Sequence, residues 1–317
     1  MPSESRQARP PGADDLTYDQ LQRLGAPGAW RPFVGVVGLF VGVWFVLALL
    51  VIGIVTPHNL DGDPVTPRYL AATNLWWALT IPAVCLCTWV VHRLAPRWLY
   101  SVVACFRWRW FVACLALAGL TLVATVFVSS VLPSQGEATA DFSGHLNPWT
   151  AQVRDFLLVI ALLTPLQAAG EEFLFRGYLT QAVGNLVGHR SERVRGGLVV
   201  VVPALLFGLA HGIGQDVPTF FDRFAFGVVA GVLVLVTGGI EAGIAMHVLN
   251  NFLAFGLALA YSDMTTALHV THGSWWAIPV TLTQSLLYLA LCWWLSRKVG
   301  LKRRTGPGVL EGREAAV

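Results

Sequence analysis

Apolar residues along the chain collect into long runs broken by short polar stretches, and each run is long enough to cross about 30 Å of hydrocarbon as a helix. Eight are read, at 33–55, 71–94, 110–132, 153–183, 196–211, 224–236, 240–261 and 276–295, with the first closed by Pro57. The fourth differs from the rest. It passes through Gly170, Glu171, Glu172 and then Phe-Leu-Phe to Arg176 without losing its apolar flanks.

The basic residues alternate between the breaks. Arg6, Arg9, Arg23 and Arg31 precede the first run, Arg93, Arg97, Arg107 and Arg109 follow the second, and Arg190, Arg193 and Arg195 follow the fourth. Arg297, Lys298, Lys302, Arg303, Arg304 and Arg313 follow the eighth. The intervening breaks are poor: Arg68 stands alone in the first and Arg223 in the third, while 133–152 and 262–275 have none. Cytoplasmic loops of membrane proteins are enriched in Lys and Arg. The expectation is therefore an all-α, polytopic membrane bundle of about eight transmembrane helices with both termini cytoplasmic.

Composition agrees, since 55% of the 317 residues are hydrophobic and only 12% are charged, too few to cover a water-soluble domain. The net charge of +3 follows from the basic loops and gives no reason to expect nucleic acid as a partner. Membrane lipid is the expected surrounding. Lys298 and Lys302 are the only lysines among abundant Arg, Ala, Val and Gly, a bias that suits a GC-rich bacterial genome and so the bacterial cytoplasmic membrane. No cleavable signal peptide is read before Phe33. Cys85, Cys87, Cys105, Cys114 and Cys292 have no metal-like spacing and read as packing residues.

The chain divides into a disordered tail over 1–32, three N-terminal helices with their loops over 33–152, a membrane core over 153–296 and a basic tail over 297–317. Between the second and third runs, 97–110 mixes aromatics with arginines. It reads either as an amphipathic segment on the membrane surface or as a belt of snorkelling arginines. Trp76, Trp77, Trp293 and Trp294 read as interface or packing residues. Small residues four apart, Gly208 with Gly212, Gly227 with Gly231 and Gly239 with Gly243, predict close helix approaches in the second half.

Charge inside hydrocarbon is costly and marks function. Of the eight histidines, His58, His145, His189, His269 and His272 fall in loops and His92 at a span end, leaving His211 and His247 in apolar helices. Glu172 and Arg176 are four apart on one face, where an ion pair closes. Glu171 points about 100° away and is left to face a cavity. Phe207 lies four residues before His211, and Asn251 four after His247; Asn250 is near the same face, with Asn251 the better fit. At about 1.5 Å per residue, Glu171, His211, His247 and Asn251 lie roughly 18, 22, 10 and 16 Å from the inner edge, one shared layer. A desolvated glutamate beside a histidine can hold and deprotonate water, and a second His with an amide can donate to an oxyanion. No HExxH or nucleophile-elbow serine is present.

These three motifs, Glu171-Glu172-x-x-x-Arg176, Phe207-x-x-x-His211 and His247-x-x-x-Asn251, resemble in order those of the CAAX protease and bacteriocin-processing family of intramembrane peptidases (CPBP, or ABI). The resemblance covers about 153–259. It implies that Glu171 and His211 activate water, that His247 and Asn251 stabilise the oxyanion, and that Glu172 and Arg176 are a structural pair. It implies a membrane-anchored protein or peptide substrate and no cofactor. Zinc held by Glu171, His211 and His247 is the alternative. Two other functions compete: an ion- or proton-coupled transporter, and a non-proteolytic scaffold or immunity protein.

Overall fold

The computed structural model describes residues 13–59, 62–133, 145–188, 190–212 and 214–311. Arg6, Arg9, His189 and Arg313, read above as tail or loop residues, lie outside the described residues. Eight helices are long and apolar enough to cross a membrane: α1 Trp30–Val55, α2 Pro67–His92, α3 Trp108–Val131, α4 Ala151–Leu186, α5 Glu192–Ala210, α6 Val217–Thr237, α7 Glu241–Tyr261 and α8 Ala277–Lys298. Among the described residues there are no strands, only two isolated bridges. The chain is thus a multi-pass membrane helix bundle.

Each expected run is a helix, with ends displaced by a few residues. The largest displacement is in α6, whose start moves back to Val217. Asp216 caps it by accepting from the Thr219 N–H at 2.9 Å, with Pro218 in the first turn, where its missing N–H costs nothing. Arg223, expected in a loop, therefore lies within α6. Its guanidinium is satisfied there by Gln215 Oε1 at 2.6 Å and the Val270 carbonyl at 2.9 Å.

Alternate connections gather at two faces, as up-and-down threading requires. At one face Ser101 pairs with Gly239 and Thr17 with Arg304, and Arg195 bonds Asp19 at 2.8 Å. At the opposite face the Asp216 N–H donates to the Thr271 carbonyl, Asp216 Oδ2 accepts from the Gly273 N–H, and the Val65 N–H donates to Thr265. Both described chain ends lie on the first, basic face. There Arg297 and Lys298 cover the rings of Trp293 and Trp294 at 5.1 and 5.0 Å, in the manner of interface anchors.

That basic face is built from segments expected to be loose. Residues 13–24, assigned to a disordered tail, form two short 3-10 turns whose Tyr18 and Leu21 are buried. The Tyr18 hydroxyl donates to the Leu99 carbonyl, and the Leu16 N–H donates to Thr305 Oγ1 at 2.8 Å. The start of the C-terminal tail is packed as well, with Thr305 and Val309 buried. The segment 97–110 packs inward through Trp98, Leu99 and Val102, which are buried, while Arg97 and Arg109 stay exposed. Arg107 grips the buried Glu241 with two nitrogens at 2.8 and 2.6 Å, while its own amide donates to the same carboxylate at 3.1 Å. Residues 13–24 and 97–110 fold inward because each supplies apolar side chains together with a charge whose partner is buried, and the start of the C-terminal tail because Thr305 bonds Leu16 and Ala13 beside buried Val309. Glu241 had no reading from the sequence.

Toward the middle of the bundle α4 packs against α2 and α7, and half of its most apolar window is buried, against 17% in α1. Apolar side chains on α1, such as Phe33, Phe40, Leu49 and Ile54, face outward where lipid would satisfy them. The Gly227 and Gly231 spacing lets α6 lie on Ala204 and Val200 of α5, the close approach expected of such pairs.

Candidate active site

The site is assembled from α4, α5 and α7. Gly170 brings α4 against α2 so closely that a Cβ there would overlap the Trp77 carbonyl. Glu171 and Glu172 follow at once, and both are buried. Just beyond them α4 widens into a π-helical stretch, Phe173–Leu179, an irregularity common at functional sites. Within it Arg176 NH1 donates to Glu172 Oε1 at 2.9 Å, as the spacing predicted.

Glu172 has a second partner that the spacing did not disclose. The same oxygen accepts from His247 Nδ1 at 3.0 Å. With Nδ1 donating to a carboxylate, neutral His247 keeps its lone pair on Nε2, and Nε2 faces Glu171 Oε2 at 3.8 Å. The other Glu171 oxygen accepts from Gln167 Nε2, and Gln167 Oε1 accepts from Asn251 Nδ2 at 2.9 Å. Glu171 and Asn251 are therefore joined through Gln167, while His247 faces Glu171 directly. Asn250 turns the other way, accepting from Gln284 of α8.

His211 stands apart from this cluster. The sequence put it within an apolar helix, but it follows the last residue of α5 and is exposed. Its Nδ1 donates to the Phe207 carbonyl at 2.8 Å, which leaves Nε2 as the acceptor. His247 is thus the histidine that meets Glu171, whereas His211 joins His247 and Asn251 only as lining of a common cavity. Phe207 links the two rings, with centroids 4.6 Å from His211 and 6.0 Å from His247. The Arg176 guanidinium lies 4.2 Å from the Phe207 centroid, which contributes a cation–π attraction in a desolvated setting.

His211, His247, Asn250, Asn251, Phe207 and Phe226 line a cavity of ≈ 170 Å³, with Asp222, Arg223 and Thr281 completing its wall. The sequence reading passed over Gln167, Asp222 and Arg223. Gln167 was accessible to it, being four residues before Glu171 and so on the same helix face. Among the described residues no three His, Cys, Asp or Glu side chains are grouped to hold a metal ion, so Glu171, His211 and His247 do not come together as a zinc set requires.

Residues 153–253 match the family model described as type II CAAX prenyl endopeptidase Rce1-like. All the catalytic candidates fall inside that segment. Over that segment the chain is similar to the Rce1-like family. A match to that family supports a CAAX-type intramembrane protease at family level, and the eight apolar helices of the described residues give a multi-pass membrane fold. Over 297 residues the chain is 24% identical to the uncharacterized protein YyaK of Bacillus subtilis (strain 168), covering 87% of this chain and 95% of that one. No solved structure matches.

Proposed function

We propose that the Rce1-like chain is an endopeptidase that hydrolyses a peptide bond of a membrane-anchored protein or peptide, using Glu171 as general base. The observation that carries this reading is the pair of acceptors, Glu171 Oε2 and His247 Nε2, facing each other at 3.8 Å. One water donating a hydrogen to each is held with its oxygen lone pair toward the cavity. Attack on the scissile carbonyl passes a proton to Glu171. Asn251, with one N–H on Gln167 and the other free, donates to the oxyanion. Glu171 then returns its proton to the departing amine nitrogen as the C–N bond breaks, and His211, with its free Nε2 near the mouth, carries protons to and from solvent. Glu172 and Arg176 hold His247 in its tautomer. No step requires a metal or cofactor. By the placement of its arginines the protein resides in a bacterial cytoplasmic membrane with both termini inside.

Cleavage of a panel of membrane-anchored peptides by purified wild type and Glu171→Gln tests this directly. The variant is expected to lose about 10²–10⁴ in kcat, the share of a general base. If wild type cuts no peptide while carrying an ion flux that depends on Glu171, the chain is a transporter instead.

A further inference from the structure

The cavity lined by His211, His247 and Asn251 has one closed end and one open one. Toward the basic face from His247 lie Glu172 and Arg176, both buried. Beneath them the Arg107–Glu241 pair and the inward-folded Trp98, Leu99 and Val102 fill the space. The Ser101–Gly239 bridge draws the loops of that face together. Among the described residues the polar side chains on that side of His247 include the buried Glu172–Arg176 and Arg107–Glu241 pairs.

The other end is lined by residues at helix ends on the opposite face. Exposed His211 follows the last residue of α5. Arg223 lies about 9 Å along α6 from Val217, and Thr281 about 6 Å along α8 from Ala277, by helical rise; both line the cavity and neither is fully buried. The surrounding loops are tied to each other by Asp216 through the Thr271 carbonyl and the Gly273 N–H, so the mouth has a defined rim. Arg223 is fixed at that rim by Gln215 and the Val270 carbonyl.

We propose that substrate enters the site from the face opposite the chain ends, so that the scissile segment is one presented on the side of the membrane poor in basic residues. With the orientation that the arginines favour, this is the extracytoplasmic side. The substrate class is then a membrane-anchored protein whose cleavable segment emerges outside, in place of a lipidated tail held in the cytoplasm. Cleavage there rests on the peptidase reading, whereas the direction of opening does not.

Two cysteine variants, each measured against the labelling of wild type with its native cysteines, test the opening without requiring activity. Thr281→Cys lies in the cavity wall, and Arg303→Cys is exposed on the basic face. In intact cells a membrane-impermeant charged thiol reagent is expected to label Thr281→Cys and to label Arg303→Cys only after permeabilisation. Gln215→Cys, on the rim loop, is labelled with Thr281→Cys if the mouth is open. Labelling of Thr281→Cys only from the side that labels Arg303→Cys overturns the proposal. So does a Thr281→Cys that stays unlabelled while Gln215→Cys reacts, and so does an Arg303→Cys that reacts in intact cells. A second arm offers wild type two single-span substrates with the same cleavable segment outside or inside. Cutting of the outside form alone is expected, and cutting of the inside form alone overturns the proposal. If neither is cut the peptidase reading fails, and labelling still decides the opening.

Discussion

Glu172 accepts two hydrogen bonds at one oxygen, from Arg176 and from His247, and this makes it more than the ionic strut that its spacing suggested. The guanidinium fixes that oxygen in place, and the oxygen, as an acceptor, keeps the proton of His247 on Nδ1. Glu172→Gln is nearly isosteric, but its amide can donate toward Nδ1 and so move the proton to Nε2, which then no longer accepts from water. The expected result is a fall in kcat on the order of 10²–10⁴ with KM little changed, by the logic that applies to a mis-set catalytic imidazole. Steady-state kinetics on one peptide substrate read it. A purely structural Glu172 would instead lower the yield of folded protein and leave kcat per folded molecule intact. At this scale the sequence was informative about identity and less so about partners. The i and i+4 spacings disclosed Glu172 with Arg176, whereas His247 lies 75 residues from Glu172, a contact that no local periodicity reports.

Helix contacts explain why those residues arrive in register. Gly170 meets the backbone of Trp77, and a backbone atom cannot move aside as a side chain does, so Gly170→Ala is expected to destabilise the fold by about 1–3 kcal/mol, as overpacking does. It should shift Glu171 along with it. Thermal unfolding in detergent, with activity measured well below the transition, checks both effects. At the far end of the bundle, Asp216 caps α6. Its carboxyl is held below the usual carboxylate range first by the Thr219 hydroxyl and amide, and also by the Gly273 N–H. A depressed folded-state value means the tie is intact above the ordinary pKa of about 3.9 and is lost as pH falls through the lower folded value. Exchange protection of the Gly273 and Thr219 amides is therefore expected to hold from neutral pH to about 4 and to drop below it, whereas Asp216→Ala lacks it throughout. The helices themselves were legible, because apolar runs of membrane length leave few alternatives. The α6 start was not, because Asp222 and Arg223 read as loop until their partners in other elements are known.

For the whole molecule, the buried Arg107–Glu241 pair closes the basic face and joins the loop before α3 to the start of α7. Removing one partner leaves a charge buried without its counter-ion, so Arg107→Met is expected to cost about 3–5 kcal/mol, while Arg107→Met combined with Glu241→Leu recovers much of it. Denaturation of the single and double variants in the same detergent makes the comparison. Neither Arg107 nor Glu241 could be assigned a partner in advance, since they stand 134 residues apart and a loop arginine is usually a solvated one. The same reason hid residues 13–24, whose short polar and apolar alternation gains meaning only against surfaces made much later in the chain.

Those early turns are seated on Thr305, Arg304 and Arg195. During synthesis they leave the ribosome before any of the eight described spans, yet their berth does not exist until the last of those spans has been made. The order of assembly therefore runs opposite to the order of translation at this face, and the opening residues wait unattached while eight helices are laid down behind them.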